Sequence, residues 1–240
     1  MADRAAAKHR RLNEFRRRLP FISASGLSAL LQDIEEHGAP KLTSRRSMAR
    51  ATEEELRQET PYGSLLTELE LVSTANTVTK ILAINPLGYL AIAYEAGGSF
   101  TDLFDKTHAA NPSSPEHPWR ICLYGDEVTP GNPVAVVNDR KVWVIYFSFL
   151  ELGCVALSAE ELWFTGLVCR TSVVGEISSG ISQIYGGFLK LFFGTLGADL
   201  SAGGIVFRNR NGGLVRLFAD LGMVLQDGGA HKLVWSRKAI

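Results

Sequence analysis

The sequence predicts an α/β protein, a mixed sheet with flanking helices, preceded by a helical N-terminal arm. Three observations carry this. Apolar residues recur at helical spacing over residues 25–36, at Leu27, Leu30, Leu31 and Ile34. Two apolar runs, residues 121–124 and 141–149, flank a turn containing Thr129-Pro-Gly-Asn132 and read as an antiparallel hairpin. Beyond them, strand-like and helix-like periods alternate down to a last apolar run at residues 222–226.

The arm comes first. Residues 1–58 are basic and helical or flexible. Arg4, Lys8, Arg10, Arg11, Arg16, Arg17 and Arg18 face only Asp3 and Glu14 before Pro20. A solvated charged extension is one reading, and a nuclear-import or nucleic-acid arm through Arg16, Arg17 and Arg18 is the sharper one. Ser23 or Ser25 would cap the first helix, and Gly38 with Pro40 would stop it. A second helix is expected to open at Thr52-Glu-Glu-Glu, after a mobile polar segment at residues 41–50.

Residues 59–118 form a linking region. Residues 68–72 suit a short strand, residues 89–94 a helix after Asn85-Pro86, and a further helix opens near Ser99. The loop Asn111-Pro-Ser-Ser-Pro-Glu-His-Pro118 marks a domain boundary.

Residues 119–240 hold the chemistry. After the first hairpin, residues 153–157 suit a third strand, and Ser158-Ala-Glu-Glu161 reads as a capping box opening a helix with Leu162, Leu167 and Val168 on its apolar face. Residues 181–193 form a helix. Residues 204–208 and 214–218 form a hairpin around Asn209-Arg-Asn-Gly-Gly213. A helix is expected over residues 228–238. The apolar stretch 181–200 is the nearest approach to a membrane span, but Lys190 at its centre makes it a buried helix.

Composition narrows the function classes. The 240 residues are 46% hydrophobic, enough for a sizeable core. Twenty-five basic residues balance 25 acidic ones, so no global charge steers the chain to nucleic acid or acidic partners. The three cysteines, Cys122, Cys154 and Cys169, are widely spaced in apolar contexts and read as buried core thiols in a reducing compartment. No P-loop, no His-Glu-x-x-His and no dinucleotide fingerprint is present, and the serines at 178–182 have no assignable His and Asp partners. No apolar signal segment follows the basic start, so the expected location is nuclear or cytoplasmic, not secreted and not membrane.

Two strands lead to acids: residues 121–124 to Asp126 and Glu127, and residues 223–226 to Asp227. A carboxylate near a core sheet is costly unless it binds something cationic. If the strands are neighbours, Asp126 and Asp227 converge on a site for Mg²⁺ or Mn²⁺, whose hard-cation chemistry needs only oxygen ligands. The competing reading is that both aspartates merely end strands. His231, one helical turn after Asp227, would pair with it or sit on the surface. Arg208, Arg210 and Arg216 on the late hairpin would contact DNA phosphates or stay solvated.

The order of these elements is that of the ribonuclease H-like fold. The pieces Leu123-Tyr-Gly-Asp-Glu-Val128, the strand 141–149 and Leu225-Gln-Asp-Gly-Gly-Ala-His-Lys-Leu233 resemble the catalytic core of eukaryotic cut-and-paste DNA transposases of the CACTA and Plavaka-like type. The resemblance covers roughly the second half of the chain. It implies Asp126 and Asp227 as catalytic metal ligands for Mg²⁺-dependent DNA cleavage and strand transfer, with Glu127 a neighbour. The group continues with a Gly-Lys-x-Pro-Cys-x-x-Cys type segment and a third acid, neither of which occurs before Ile240. The expectation is a core incomplete at its C-terminus, inactive by itself. The alternative is a non-catalytic nucleic-acid-binding or protein-interaction domain. Oligomeric state stays open.

Overall fold

The computed structural model describes residues 24–39, 44–129, 140–194, 199–208 and 213–226. The chain divides into two compact units, Met1–Glu53 and Glu54–Ile240. The loop at residues 111–118 runs inside the second of these.

In the arm, helix α1 spans Ala24–His37. Gly38 follows at φ 84°, a left-handed conformation that favours glycine, and its N–H donates to the Ile34 carbonyl at 3.0 Å. Helix α2 spans Arg45–Leu56 and so begins well before the expected start at Thr52. The reason is a cap the acidic run obscures. The Ser47 N–H donates to Ser44 Oγ at 3.1 Å, and the Ser44 N–H donates to Ser47 Oγ at 3.2 Å. Residues 45–50, expected to be mobile, are the first half of this helix.

The second unit opens with two hairpins. Strands β1 (Glu59–Thr60) and β2 (Gly63–Ser64) form the smaller. Strands β3 (Leu66–Val72) and β4 (Val78–Ile84) form the larger, in register from Leu66 opposite Ile84 to Val72 opposite Val78. Leu69, Leu71, Ile81 and Ala83 point inward, and Lys80 meets Glu68 outside at 2.8 Å. Helix α3 (Pro86–Ala96) is capped by Asn85, whose side chain accepts from the N–H groups of Leu87 and Gly88. Helix α4 (Ser99–Ala110) follows.

The central sheet has the strand order β10 (Ala219–Leu225), β5 (Trp119–Val128), β6 (Val142–Phe149), β7 (Phe164–Arg170). Strand β5 (Trp119–Val128) pairs antiparallel with β6 (Val142–Phe149), as the hairpin reading requires. The third strand is β7 (Phe164–Arg170), not residues 153–157, which form the short helix α5 (Cys154–Leu157) between two 3₁₀ turns, Leu150–Leu152 and Glu160–Leu162. The helix expected after Ser158 is therefore this second turn followed by β7. Leu167 and Val168 lie on opposite faces of a strand, one buried and one exposed. Helices α6 (Thr171–Glu176) and α7 (Ile181–Phe193) follow. Strands β8 (Ile205–Arg208) and β9 (Leu214–Leu217) form the expected late hairpin. Strand β10 (Ala219–Leu225) returns to lie parallel to β5. The helix expected over 228–238 lies outside the described residues.

Strand β10 does not keep one register. Ala219 to Leu221 pair with Trp119 to Ile121, then Met223 to Leu225 pair with Cys122 to Tyr124, with a bulge at Gly222. A side chain at 222 would meet Arg120 Cβ at 2.5 Å, which is why a residue without one stands there.

One face of the sheet takes α7. Ile181, Ile184, Tyr185, Phe188 and Phe192 are buried, and Lys190 is exposed, as expected for a charged residue on a packed helix. No described helix is long and apolar enough to cross a membrane. Two sheet glycines let α7 approach. A Cβ at Gly125 would fall 1.7 Å from the Tyr185 hydroxyl, and one at Gly166 would fall 2.1 Å from Phe188 Cζ. The Tyr185 hydroxyl is buried and has no hydrogen-bond partner of good geometry. Burial pushes its pKa up, and the nearby Gln226 amide opposes the shift.

Gly125→Ala therefore overpacks the helix–sheet contact and should cost roughly 1–3 kcal/mol. Urea denaturation of Gly125→Ala and of Gly125→Ala with Tyr185→Phe should show part of that loss recovered in the double variant. Equal loss in both would separate the glycine from the tyrosine.

Candidate functional site

Strand β5 carries its acids at its C-terminal end, and alternation sends them to opposite faces. Asp126 lies opposite Val144 of β6, shares a face with Tyr124 and is half-buried. The Tyr124 hydroxyl donates to Asp126 Oδ2 at 3.0 Å. That bond fixes the carboxylate against the sheet and supplies one charge-assisted partner.

Glu127 does different work. Lys141 Nζ donates to its Oε2 and the Thr171 hydroxyl to its Oε1, each at 2.8 Å. It thus ties the end of β5 to the start of β6 and to the first residue of α6. The hydrogen bond from Lys141, aided by Thr171, holds the Glu127 carboxyl below the usual range against the opposing effect of burial. Its two oxygens are engaged by protein donors, so it serves as a fastener.

The second acid-bearing strand is where the metal reading requires it. Strand β10 is hydrogen-bonded to β5, runs parallel to it, and pairs Leu225 with Tyr124. Both strands therefore approach their acids at the same end of the sheet. Asp227 and His231 lie outside the described residues, as do Arg16, Arg17, Arg18 and Arg210. Among the described residues no group of three or more His, Cys, Asp or Glu is gathered as a metal cluster.

Arg208 and Arg216 are both exposed and share the outer face of the β8–β9 hairpin, Arg208 opposite Leu214 and Arg216 opposite Val206. The inner face is buried through Ile205, Phe207 and Leu217. Tyr62 braces the hairpin: its hydroxyl donates to the Val206 carbonyl at 3.0 Å and accepts from the Val206 N–H at 2.6 Å. The hairpin is a firm mount for two guanidinium groups.

Of the cysteines, Cys122 and Cys169 are buried, and burial pushes both thiols up. Cys154 departs from the core reading. It is exposed at the first position of α5, because that segment is a surface helix rather than a strand.

Sequence reasoning did not find the depression beside Asp126. Tyr124, Tyr146 and Thr165 stand side by side on β5, β6 and β7, and Leu225 adjoins Tyr124 on β10. With Trp163 and Glu160 they line an open hollow of about 610 Å³. The aromatic residues are visible in the sequence, but only the register puts them in one row.

Glu127 gives a pH signature. Its pKa is depressed in the folded state, so its contribution to stability is full above the unfolded value near 4.5 and is lost as pH falls through the lower folded value. Both partners keep some solvent contact, with side chains 28% and 43% exposed, so the pair contributes less than about 1 kcal/mol. Denaturation profiles between pH 6 and pH 3 should show a shallower acid loss for Glu127→Gln than for the parent chain. Coincident slopes would remove the ion pair from the acid response.

Compared with family models, with curated proteins and with solved structures, the chain has no match in any of the three.

Proposed function

We propose that residues 119–240 form a partial ribonuclease H-like core of transposon origin, whose ancestral activity is Mg²⁺-dependent DNA strand cleavage and transfer. The observation that supports this reading best is the parallel pairing of β10 with β5. The two strands are far apart in the chain, and only a crossover through β6, β7 and α7 makes them neighbours.

 Nothing local in the sequence brings β5 and β10 together, and their acids follow at the same end of the sheet. The order of the remaining elements is also the one that the resemblance implies: an acid-bearing strand, two antiparallel partners, helices, then a strand leading to a second acid.

In this reading Asp126 and Asp227 would hold Mg²⁺ or Mn²⁺, and the donor chemistry fits, since carboxylate oxygens suit a hard divalent ion. When bound, such an ion activates a water or a DNA 3′-hydroxyl for attack at phosphorus and stabilises the leaving oxygen. Tyr124 orients the Asp126 carboxylate through its hydroxyl. The Glu127 pair with Lys141 holds the end of the strand in place. Arg208 and Arg216, with Arg16, Arg17, Arg18 and Arg210, would take backbone phosphates. Cleavage by this chain alone is expected to be weak or absent, because only two acids are assigned.

Metal binding tests the reading without relying on turnover. At a concentration about 100 times its Kd, a bound ion adds about 2.7 kcal/mol to the folded state. For a protein of this size that raises the melting temperature by roughly 5–10 °C. Asp126→Asn should abolish the increment, and should itself stabilise the metal-free protein if the two carboxylates repel. An unchanged increment in Asp126→Asn would remove this residue from the site. No increment at all, with DNA binding that weakens steeply with salt and needs Arg16, Arg17 and Arg18, would favour a non-catalytic nucleic-acid-binding module instead.

A further inference from the structure

The sheet face opposite α7 is only partly covered. The turn Leu150–Leu152, helix α5 and the turn Glu160–Leu162 cross its lower part. Glu151 accepts from the Arg120 N–H at 2.8 Å, and the Ser148 hydroxyl donates to the Leu162 carbonyl at 2.8 Å. Above this strap lies the hollow of about 610 Å³, within the range of small-ligand sites.

Its walls are aromatic and fixed. Tyr124 and Tyr146 are stacked neighbours, with centroids 6.1 Å apart and planes at 18°. Trp163 meets Tyr124 edge-on at 6.2 Å and 67°. The indole N–H of Trp163 donates to the Leu157 carbonyl at 2.9 Å, and the Tyr124 hydroxyl is held by Asp126. Ring faces of this kind attract cations through their quadrupole, most strongly for Trp. A hydroxyl donating to a carboxylate leaves its ring richer in electrons, which strengthens that attraction.

Among the described residues the charge around the hollow has one sign. Among the described lining residues Glu160 is the ionisable carboxylate and no basic side chain occurs. Asp126 adds a second negative charge behind Tyr124. A phosphate would be repelled here. A compact ammonium is strongly hydrated and would lose more water than one carboxylate replaces. A weakly hydrated cation whose charge is spread over methyl groups loses little and gains contact with three rings.

We propose that Tyr124, Tyr146, Trp163 and Glu160 form a binding site for an alkylated-ammonium cation. The site requires no metal at Asp126 and stands whether or not the chain acts on DNA.

Choline and its uncharged carbon isostere, 3,3-dimethylbutan-1-ol, separate charge recognition from simple apolar burial. Each would be titrated into the full chain while the indole N–H resonance of Trp163 is followed, assigned through Trp163→Phe. Choline should shift that resonance saturably, in the millimolar range. The isostere should bind at least about ten-fold more weakly. Glu160→Gln, at an exposed position where folding is not at stake, should weaken choline about three-fold or more and leave the melting temperature unchanged. Equal binding of the isostere would make the hollow an apolar pocket and overturn the proposal. So would the absence of a saturable shift, indifference to Glu160→Gln, or tighter binding of adenosine monophosphate than of choline to the same rings.

Discussion

The close approach of helix α7 to the sheet is the constraint on which the second unit depends. Gly125 and Gly166 leave space for the Tyr185 hydroxyl and the Phe188 ring, and neither place admits a methyl group without displacement. Once the helix is seated there, Phe188 and Phe192 join Phe147 in the core, with Phe147 and Phe192 edge to face at 5.2 Å. The helix also reaches the β3–β4 hairpin, since Gly187 lies against Leu71 and the Gln183 amide donates to the Val72 carbonyl at 3.2 Å. One helix thus joins two separate sheets. A contact that serves both is hard to vary at either end.

A second aromatic cluster holds the other elements to β5. Phe104 of α4 packs against Trp119 at 5.1 Å and Phe207 of β8 at 5.2 Å, and Tyr94 of α3 stacks on Phe207 at 4.8 Å. Trp119 is itself fixed, its indole donating to the Asn111 carbonyl and its backbone N–H to the Phe218 carbonyl, each at 2.9 Å. The start of β5 is therefore anchored by packing, and its end by the Glu127 pair with Lys141. The strand between these anchors carries Tyr124 and Asp126, so the candidate site rests on a rigid element rather than on a loop.

Much of this was legible because local pattern and tertiary role agree. Residues 181–193 have a helical apolar period and form α7, and the runs around Leu123 and Ile145 are apolar and form central strands. Where the two disagree, the pattern misleads. Residues 153–157 are too short an apolar run to tell strand from helix, and Leu162, Leu167 and Val168 mimic a helical face while pairing with β6 makes residues 164–170 a strand. Strand β4 gives no clean alternation, because its outward face carries the exposed Val78 and Leu82 beside Lys80. The site is legible only in part. The acids stand out as residue types after apolar runs, but the pairing of β10 with β5 is a property of the folded chain, as is the row of Tyr124, Tyr146 and Thr165.

The bulge at Gly222 has a consequence for parity. Before it, odd positions of β10 lie beside odd positions of β5; after it, Met223 and Leu225 lie beside the even positions Cys122 and Tyr124. One extra residue thus moves the odd positions of the remaining strand from the face of α7 to the open face, and the even positions the other way. Asp126 and Glu127 sit back to back on those two faces, one beside Tyr124 and the other bound to Lys141. The slip at Gly222 therefore puts Leu225 on the face that carries Asp126 rather than on the face that carries Glu127. Which face the end of β10 shares is then set by a count of residues rather than by any side chain on that face.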